Sequence, residues 1–260
     1  MNNKLSGGKL VLVPIKQLGI NKIPYIEDLR DRCIKYIDFY PVTLLPDTDE
    51  PGVQDTTNMY ISIADVFGNE YSIKDLPLER LNYSATLGVK QSIHKKISLQ
   101  NSAINCQNAN NVGKYVALVF WYDLPEFSAR NRSDVTVVDS VTVPITNVIR
   151  YNSLPDEERM TGKRFRQILL GTPTITPDLR NALTLTQLKN VYITLRKGSY
   201  NVIENIPIVL FYQMQMLQKS IFANIIFDMQ SSFITIGGAG RATYTDYVGK
   251  SVFLNFVYEK

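Results

Sequence analysis

The chain has 260 residues, of which 45% are hydrophobic and 20% are charged. This is enough apolar material for one large core or two smaller ones, and it excludes an intrinsically disordered chain. The net charge of +4 is too small to indicate a nucleic-acid partner by itself, and a single His with two Cys excludes most metal and nucleophilic chemistry.

The sequence carries no targeting or membrane pattern. The first residues (MNNKLSGG) are polar and Gly-rich, so we expect no secretory signal peptide. The longest apolar runs fall far short of the roughly 20 residues that a membrane helix requires, so we expect no membrane partner. Two widely spaced cysteines, Cys33 and Cys106, fit a reducing compartment better than a fold held by disulfides. A disulfide between them is the alternative.

The first half of the chain predicts mostly strands. Apolar or alternating runs predict strands at residues 9–15, 35–45, 58–67 and 114–123, the last apolar on both faces and therefore central. Pro24, two early acidic residues and an apolar face predict a helix over residues 24–33. Residues 46–57 form a loop by composition, and the Asn-rich stretch 98–113 predicts a long surface loop or an arm that becomes ordered on a partner.

The second half predicts one helix among further strands. Residues 135–145 share one apolar parity and predict one long strand or two consecutive ones. Ser153 as a cap, an early proline and three acidic residues predict a helix over residues 153–170, and a short helix is predicted to start near Pro177. Strands follow at 191–196, 206–212, 220–228, 232–236 and 250–258, with a turn at 197–199.

This element order predicts a mainly-β protein, an antiparallel β-sandwich of jelly-roll type with two or three short helices. We expect an amino-terminal arm and short helix at 1–34, then one sandwich domain at 35–260 with long inserted loops and the helix near 154–170. No repeat with a period of about 20–50 residues is visible.

Four groups of residues invite a chemical interpretation, and in each case an ordinary structural role is the better prediction. His94 and Cys106 lack an orienting partner for a base–nucleophile pair. Asp123 and Glu126 follow the aromatic strand and are the carboxylates best placed for glycoside chemistry. The other two groups resemble a calcium loop and a phosphate loop, listed as Asp47, Asp49, Gly52 and Asp55, and as Gly237, Gly238 and Gly240 before Arg241.

Neither loop completes its pattern. Pro51 and Asn58 replace the ligands that a calcium loop needs at its fifth and twelfth positions, which favours an acidic turn. The glycine run is followed by an extended segment rather than by the Lys-Ser/Thr or helix of a phosphate loop, which favours a turn between strands. We therefore expect no catalytic residue, no metal and no cofactor.

One basic cluster is the best candidate for a partner contact. Arg159, Lys163 and Arg166 have the spacing i, i+4, i+7 and would form one stripe on the predicted helix. The stripe would meet phosphates or an acidic partner, or remain a solvated face neutralised by nearby glutamates. A nucleic-acid-binding role through these residues is the weakest alternative.

Two segments resemble virion proteins of tailed bacteriophages: residues 188–211 (LKNVYITLRKGSYNVIENIPIVLF) and 114–127 (KYVALVFWYDLPEF). The chain is similar, over residues 35–260, to the collar or ring proteins of crAss-like phages of gut Bacteroidota and to their capsid-accessory proteins. The resemblance implies a non-enzymatic subunit of a ring that connects head (portal) to tail. It also implies assembly in the host cytoplasm, location in the virion, and partners that are copies of itself, the portal and neighbouring tail or capsid proteins.

Alternatives to a ring subunit remain open at this point. A capsid-accessory or decoration protein fits the same composition. A carbohydrate-binding β-sandwich module would use Trp121 and exposed tyrosines as stacking platforms, but Trp121 lies in a run that predicts burial. A hydrolase with a carboxylate pair is the third alternative, and its candidate residues are Asp123 and Glu126.

Overall fold

The computed structural model describes residues 4–41, 45, 50–66, 70–81, 92–128, 136–149, 151–171, 181–216, 225–237 and 244–259. Strands account for 58% and helices for 13% of the structure, which confirms the predicted mainly-β, sandwich-like class. Two α-helices lie within the described residues, α1 (Leu185–Leu188) and α2 (Val209–Met216). Short 3-10 turns lie at Glu27–Leu29, Leu78–Leu81, Ala109–Asn111, Glu158–Met160 and Thr245–Tyr247.

The described part of the chain contains fourteen strands. The first seven are β1 (Lys4–Pro14), β2 (Gly19–Lys22), β3 (Cys33–Tyr40), β4 (Met59–Asp65), β5 (Tyr71–Pro77), β6 (Ser92–Cys106) and β7 (Tyr115–Ser128). The last seven are β8 (Thr136–Pro144), β9 (Asn152–Ser153), β10 (Phe165–Gly171), β11 (Val191–Lys197), β12 (Tyr200–Pro207), β13 (Asp228–Ile236) and β14 (Ser251–Glu259).

The chain divides into two compact units. The amino-terminal unit contains Gly8–Leu45 and Glu50–Asp123, and the carboxy-terminal unit contains Met1–Gly7, Pro46–Asp49 and Leu124–Lys260. This division differs from the predicted boundary between residues 34 and 35. The expected amino-terminal arm contains β1 and β2, and the side chains of Val11 and Val13 on β1 are buried.

The last seven strands repeat the arrangement of the first seven. In the amino-terminal half, β4 pairs with β5 and β6, β2 pairs with β6, β3 pairs with β7, and β7 neighbours β1. Adding seven to each strand number gives the pairs of the other half, namely β11 with β12 and β13, β9 with β13, β10 with β14, and β14 with β8. The sets differ in one pairing: β3 also pairs with β6, which makes the first set one continuous sheet. Among the described strands of the second set, β12-β11-β13-β9 and β10-β14-β8 are two separate sheets.

The register of the strands is repeated as well. Met59 pairs with Cys106 in the first set, and Val191 pairs with Ile236 in the second, so equivalent residues lie roughly 130 positions apart. A β-bulge also interrupts β4 and the equivalent strand β11 at the same place. There the hydroxyl of a serine on the partner strand, Ser102 or Ser232, accepts from a backbone N–H and donates to a carbonyl.

Two loop features recur with the strands. Asn21 and Asn152 each accept backbone N–H groups from the preceding turn and donate to its carbonyls. Gly113 and Gly249 both have φ of +84°, and each N–H donates to the carbonyl that follows the first strand of its set. Because the other pairs, the register, the bulges and the caps recur, we infer that the described strands form two copies of one β-sandwich-like unit, a tandem duplication.

The structure corrects the two predicted helices. Residues 24–33 form only the 3-10 turn Glu27–Leu29, and the predicted helix near 154–170 is replaced by β9, the turn Glu158–Met160 and β10. A β-bulge between Phe165 and Gln167 inserts one residue, so the buried Phe165 and Ile168 are three apart, which is also helical spacing. The acidic residues that indicated a helix start lie in or beside a single 3-10 turn, and the N-cap residue of neither turn makes a side-chain capping hydrogen bond.

Two further predictions were wrong. The Asn-rich stretch 98–113 is not a loop or an arm, because residues up to Cys106 belong to β6 and the serine at its bulge is fully buried. The apolar run 206–212 is not a strand, because β12 ends at Pro207 and α2 begins at Val209. The strands predicted around 58–67, 114–123, 135–145, 191–196, 232–236 and 250–258 are all present. The helix predicted near Pro177 lies outside the described residues.

Candidate functional site

The three basic residues predicted to share a helix face lie on different pieces of structure. Arg159 lies in the 3-10 turn, Lys163 in the connection after it, and Arg166 on β10. The predicted stripe is therefore wrong, because the helix that would have aligned the three side chains does not form.

Carboxylates of the same unit hold two of these arginines. Arg166 donates from Nε and Nη2 to Oε1 of Glu259, at 3.1 and 3.0 Å, and Glu259 is 8% exposed. Arg159 Nε lies 3.4 Å from Oδ2 of Asp139, with its side chain 59% exposed. Asp139 also accepts from the hydroxyl of Tyr258, and this hydrogen bond raises the pKa of Tyr258. Arg166 is thus committed within the fold, and Arg159 is the more accessible of the two cations.

Asp123, the leading candidate for an acid–base role, forms an ion pair. Its Oδ1 lies 2.7 Å from Nζ of Lys35, and the side chains of Lys35 and Asp123 are 15% and 9% exposed. Lys35 and Asp123 lie at the positions that Arg166 and Glu259 occupy in the second set of strands. Both units therefore keep a cation–carboxylate pair between the same two strands, with different residues, which indicates a structural role.

The other half of the proposed carboxylate pair, Glu126, lies on β7. Its side chain is outside the described part of the chain.

Trp121, the candidate sugar platform, is buried with 1% exposure. Its Nε1 donates to Oδ2 of Asp38 at 2.7 Å, and its six-membered ring lies directly over the backbone of Gly8. A ring enclosed in this way cannot stack on a sugar, so the predicted burial is confirmed and the carbohydrate-binding alternative loses its platform.

His94 and Cys106 both lie on β6, twelve residues apart. At about 3.3 Å per residue a strand places such residues roughly 40 Å apart, which excludes a base–nucleophile pair between them. Cys106 is fully buried, and its Sγ donates to the carbonyl of Asn108 at 3.3 Å. Cys33 is at intermediate exposure, and no disulfide joins it to Cys106.

The two candidate loops are only partly described. Asp55 binds the residues beside it: the hydroxyl and backbone N–H of Thr57, with the side chain of Asn108, lower the pKa of Asp55. Gly52 lies in an isolated bridge to Tyr115. Of the glycine run, Gly237 donates its N–H to the carbonyl of Asn190. The remaining members, Asp47, Asp49, Gly238, Gly240 and Arg241, lie outside the described residues.

The described residues lack a metal cluster and a membrane-spanning helix. They contain no group of three or more His, Cys, Asp or Glu side chains arranged to hold a metal ion. Among the helices described, none has the length and apolarity needed to cross a membrane.

The amino-terminal unit has a shallow groove of about 540 Å³ beside the turn at Glu27–Leu29. Leu29, Ile97 and Leu99 line it and are buried, whereas Tyr25 and Val66 are 46% and 41% exposed. The groove therefore has buried apolar side chains at its base, a mainly polar accessible lining, and an aromatic ring at its rim.

Charged residues around this groove neutralise one another. Tyr25 donates to Glu27, which raises the pKa of Tyr25 and lowers that of Glu27. Arg30 reaches Glu27 at 3.4 Å and Asp31 at 3.7 Å. All are well exposed, so these pairs contribute little to stability.

The equivalent place in the carboxy-terminal unit is bridged. Asp156 and Gln230 lie at the positions of Tyr25 and Gln100, and Gln230 donates its side-chain amide to Asp156. The open groove is thus a difference between two otherwise equivalent units. No sequence pattern predicts the groove, because its residues come from segments far apart in the chain.

No protein-family model, curated protein or solved structure matches this chain. Its function has to be argued from its own residues and geometry.

Proposed function

We propose that this chain is a non-enzymatic structural protein of a bacteriophage virion, a subunit of a ring or collar that connects the head, at the portal, to the tail. Its partners are copies of itself, the portal and neighbouring tail or capsid proteins. The resemblance of residues 114–127 and 188–211 to tailed-phage virion proteins supplies the class of particle.

The observation that carries the structural role is the duplicated ion pair. Lys35–Asp123 and Arg166–Glu259 keep one cation and one carboxylate at equivalent positions, while the residue types change. A catalytic carboxylate has a chemical task in one site and is not expected to recur as a salt-bridge partner in a second unit. The pattern supports a scaffold in which ionisable side chains hold strands together.

The duplication itself supports a role in assembly. Two copies of one unit in a chain present two sets of loops and sheet edges, so a single chain offers repeated contact surfaces to its neighbours. The sole tryptophan and one of the two cysteines are buried, whereas large apolar side chains such as Ile149 and Tyr151 are exposed and available for contacts with a neighbour.

Light scattering coupled to size exclusion tests the proposal. The purified chain is expected as a multiple of its 29.5 kDa mass, and it should co-elute with the portal protein of the same phage. A decoration protein, the alternative, would bind assembled capsid and not the portal. A monomer at tens of micromolar that binds none of the portal, capsid and tail proteins would refute the proposal.

A further inference from the structure

The duplication makes an unequal pair of sheet edges visible. In the carboxy-terminal unit, β12 lies beside β1, whose residues as far as Gly7 belong to that unit. The strand equivalent to β12 is β5, and the strand equivalent to β1 is β8. Within the described residues, β5 has a neighbour only in β4, and β8 has one only in β14.

β5 is more exposed than its covered equivalent. Tyr71 is 52% exposed, while Asn201 at the same position is half-buried. Leu76 is half-buried, while Ile206 is fully buried. At none of the seven equivalent positions is β5 the more buried of the two strands. The difference is expected if β5 is the same edge as β12 without its neighbour.

β8 is also well exposed. Val138 is 59% exposed, and Thr142 is exposed as well. β8 contains no lysine or arginine, the residues that commonly protect an edge strand from pairing, and its one acid, Asp139, is bound to Tyr258.

We propose that β8 of one copy pairs with β5 of the next copy, repeating between chains the pairing that β1 and β12 make within one chain. The occupant of each edge is therefore a second copy of this protein. The duplication supports this choice, because the two edges are equivalents of strands that already fit each other. β5 and β8 are different surfaces, so the contact is head-to-tail and propagates into a ring or a filament.

The inference specifies the self-association within the proposed function, and it rests on that function only for the existence of a multi-copy assembly. Head-to-tail pairing predicts how blocked copies behave when they are mixed. A copy blocked at β8 keeps a working β5, and a copy blocked at β5 keeps a working β8. The two blocked forms are complementary and should combine once.

The test uses Val138→Lys on β8 and Tyr71→Lys on β5, both at exposed positions, with Val248→Lys as the control. Val248 is 49% exposed and lies in a turn outside both edges. Each edge variant should weaken self-association by at least about tenfold in analytical ultracentrifugation, while the control stays like the wild type. An equimolar mixture of the two edge variants should give a heterodimer that grows no further.

Circular dichroism first checks that the variants are folded, and Thr142→Lys replaces Val138→Lys if the latter is not. Edge variants that assemble like the wild type would overturn the β8–β5 contact but leave the ring proposal standing. Weakened variants that fail to combine on mixing would overturn the head-to-tail pairing. A wild-type chain that stays monomeric would overturn both the inference and the proposed function.

Discussion

Among the described glycines compared by their surroundings, Gly8 is the one where adding a single carbon should lower the stability of the fold most. A Cβ built there would lie 2.7 Å from Cε3 of Trp121 and closer still to Cζ3, whereas real Cβ contacts essentially never fall under 3.0 Å. The obstacle is a rigid ring at 1% exposure, which is anchored through Nε1 to Asp38. Gly8→Ala therefore forces the ring, the β1 backbone or both to shift.

The cost has two sources. Overpacking a dense core typically costs about 1–3 kcal/mol, and losing a hydrogen bond to a charged acceptor costs about 1.5–3 kcal/mol. Because the ring shift loosens the bond to Asp38 without necessarily breaking it, we expect Gly8→Ala to lower the free energy of unfolding by roughly 2–5 kcal/mol. For a protein of this size each kcal/mol lowers Tm by about 2–4 °C.

Urea unfolding measures this change, and the sole tryptophan reports it directly, since its emission should shift to the red as the ring loosens. The matched background is Trp121→Val, because Val257 stands at the equivalent position of the second set of strands. There the cost of Gly8→Ala should fall below about 1 kcal/mol, as the clashing ring is absent. A Gly8→Ala protein within about 0.5 kcal/mol of the wild type, with unchanged emission, would refute the reasoning.

Three further predictions concern polar groups. Ser102→Ala and Ser232→Ala should each lower the free energy of unfolding by about 1–3 kcal/mol in urea titrations, because each strips the hydroxyl partner from a backbone N–H at the bulge; a neutral result at either site would contradict their equivalence. Lys35→Met should lower the free energy of unfolding by about 3–5 kcal/mol, because it leaves the carboxylate of Asp123 without its cation. Adding Asp123→Leu should recover much of this loss. A double variant that is less stable than the single one in thermal unfolding would argue against a buried pair. The pKa of Asp55 is lowered in the folded state, so the stabilisation by its carboxylate is complete at neutral pH and is lost as the pH falls through the folded-state pKa. Asp55→Asn should therefore reduce the fall in the free energy of unfolding at acid pH. An unchanged pH dependence would count against the hydrogen bonds to this side chain.

The strands that could be predicted are those with a simple local pattern. β7 is apolar on both faces over residues 116–122, and β14 alternates from Val252 to Tyr258. Such patterns reflect burial on two faces or on one, so they hold wherever the strand lies. The error at β10 arose because a bulge gave Phe165 and Ile168 the spacing of a helix.

The candidate site could not be predicted in the same way. The partners of Lys35 and Arg166 lie about 90 residues further along the chain, so no spacing rule connects them. The basic stripe was an inference from a helix, and it disappeared with the helix. Only burial of Trp121 followed from its immediate neighbours.

The duplication left traces in the sequence that a search for short repeats does not find. Val-Gly-Lys occurs at 112–114 and at 248–250, and β7 and β14 carry the same alternating series of Val, Leu, Phe and Tyr. Such matches are sparse because a sandwich unit tolerates most apolar exchanges at constant volume. The common register made them meaningful.

Local sequence by itself determined the mainly-β class and the position of most strands, because alternation of apolar residues is enforced within each strand. The tertiary structure decided which strands pair, where the bulges fall and which ionisable groups are enclosed, since these depend on residues far apart in the chain. It also decided that the chain is one unit built twice, and from that repetition came the two uncovered edges, β5 and β8.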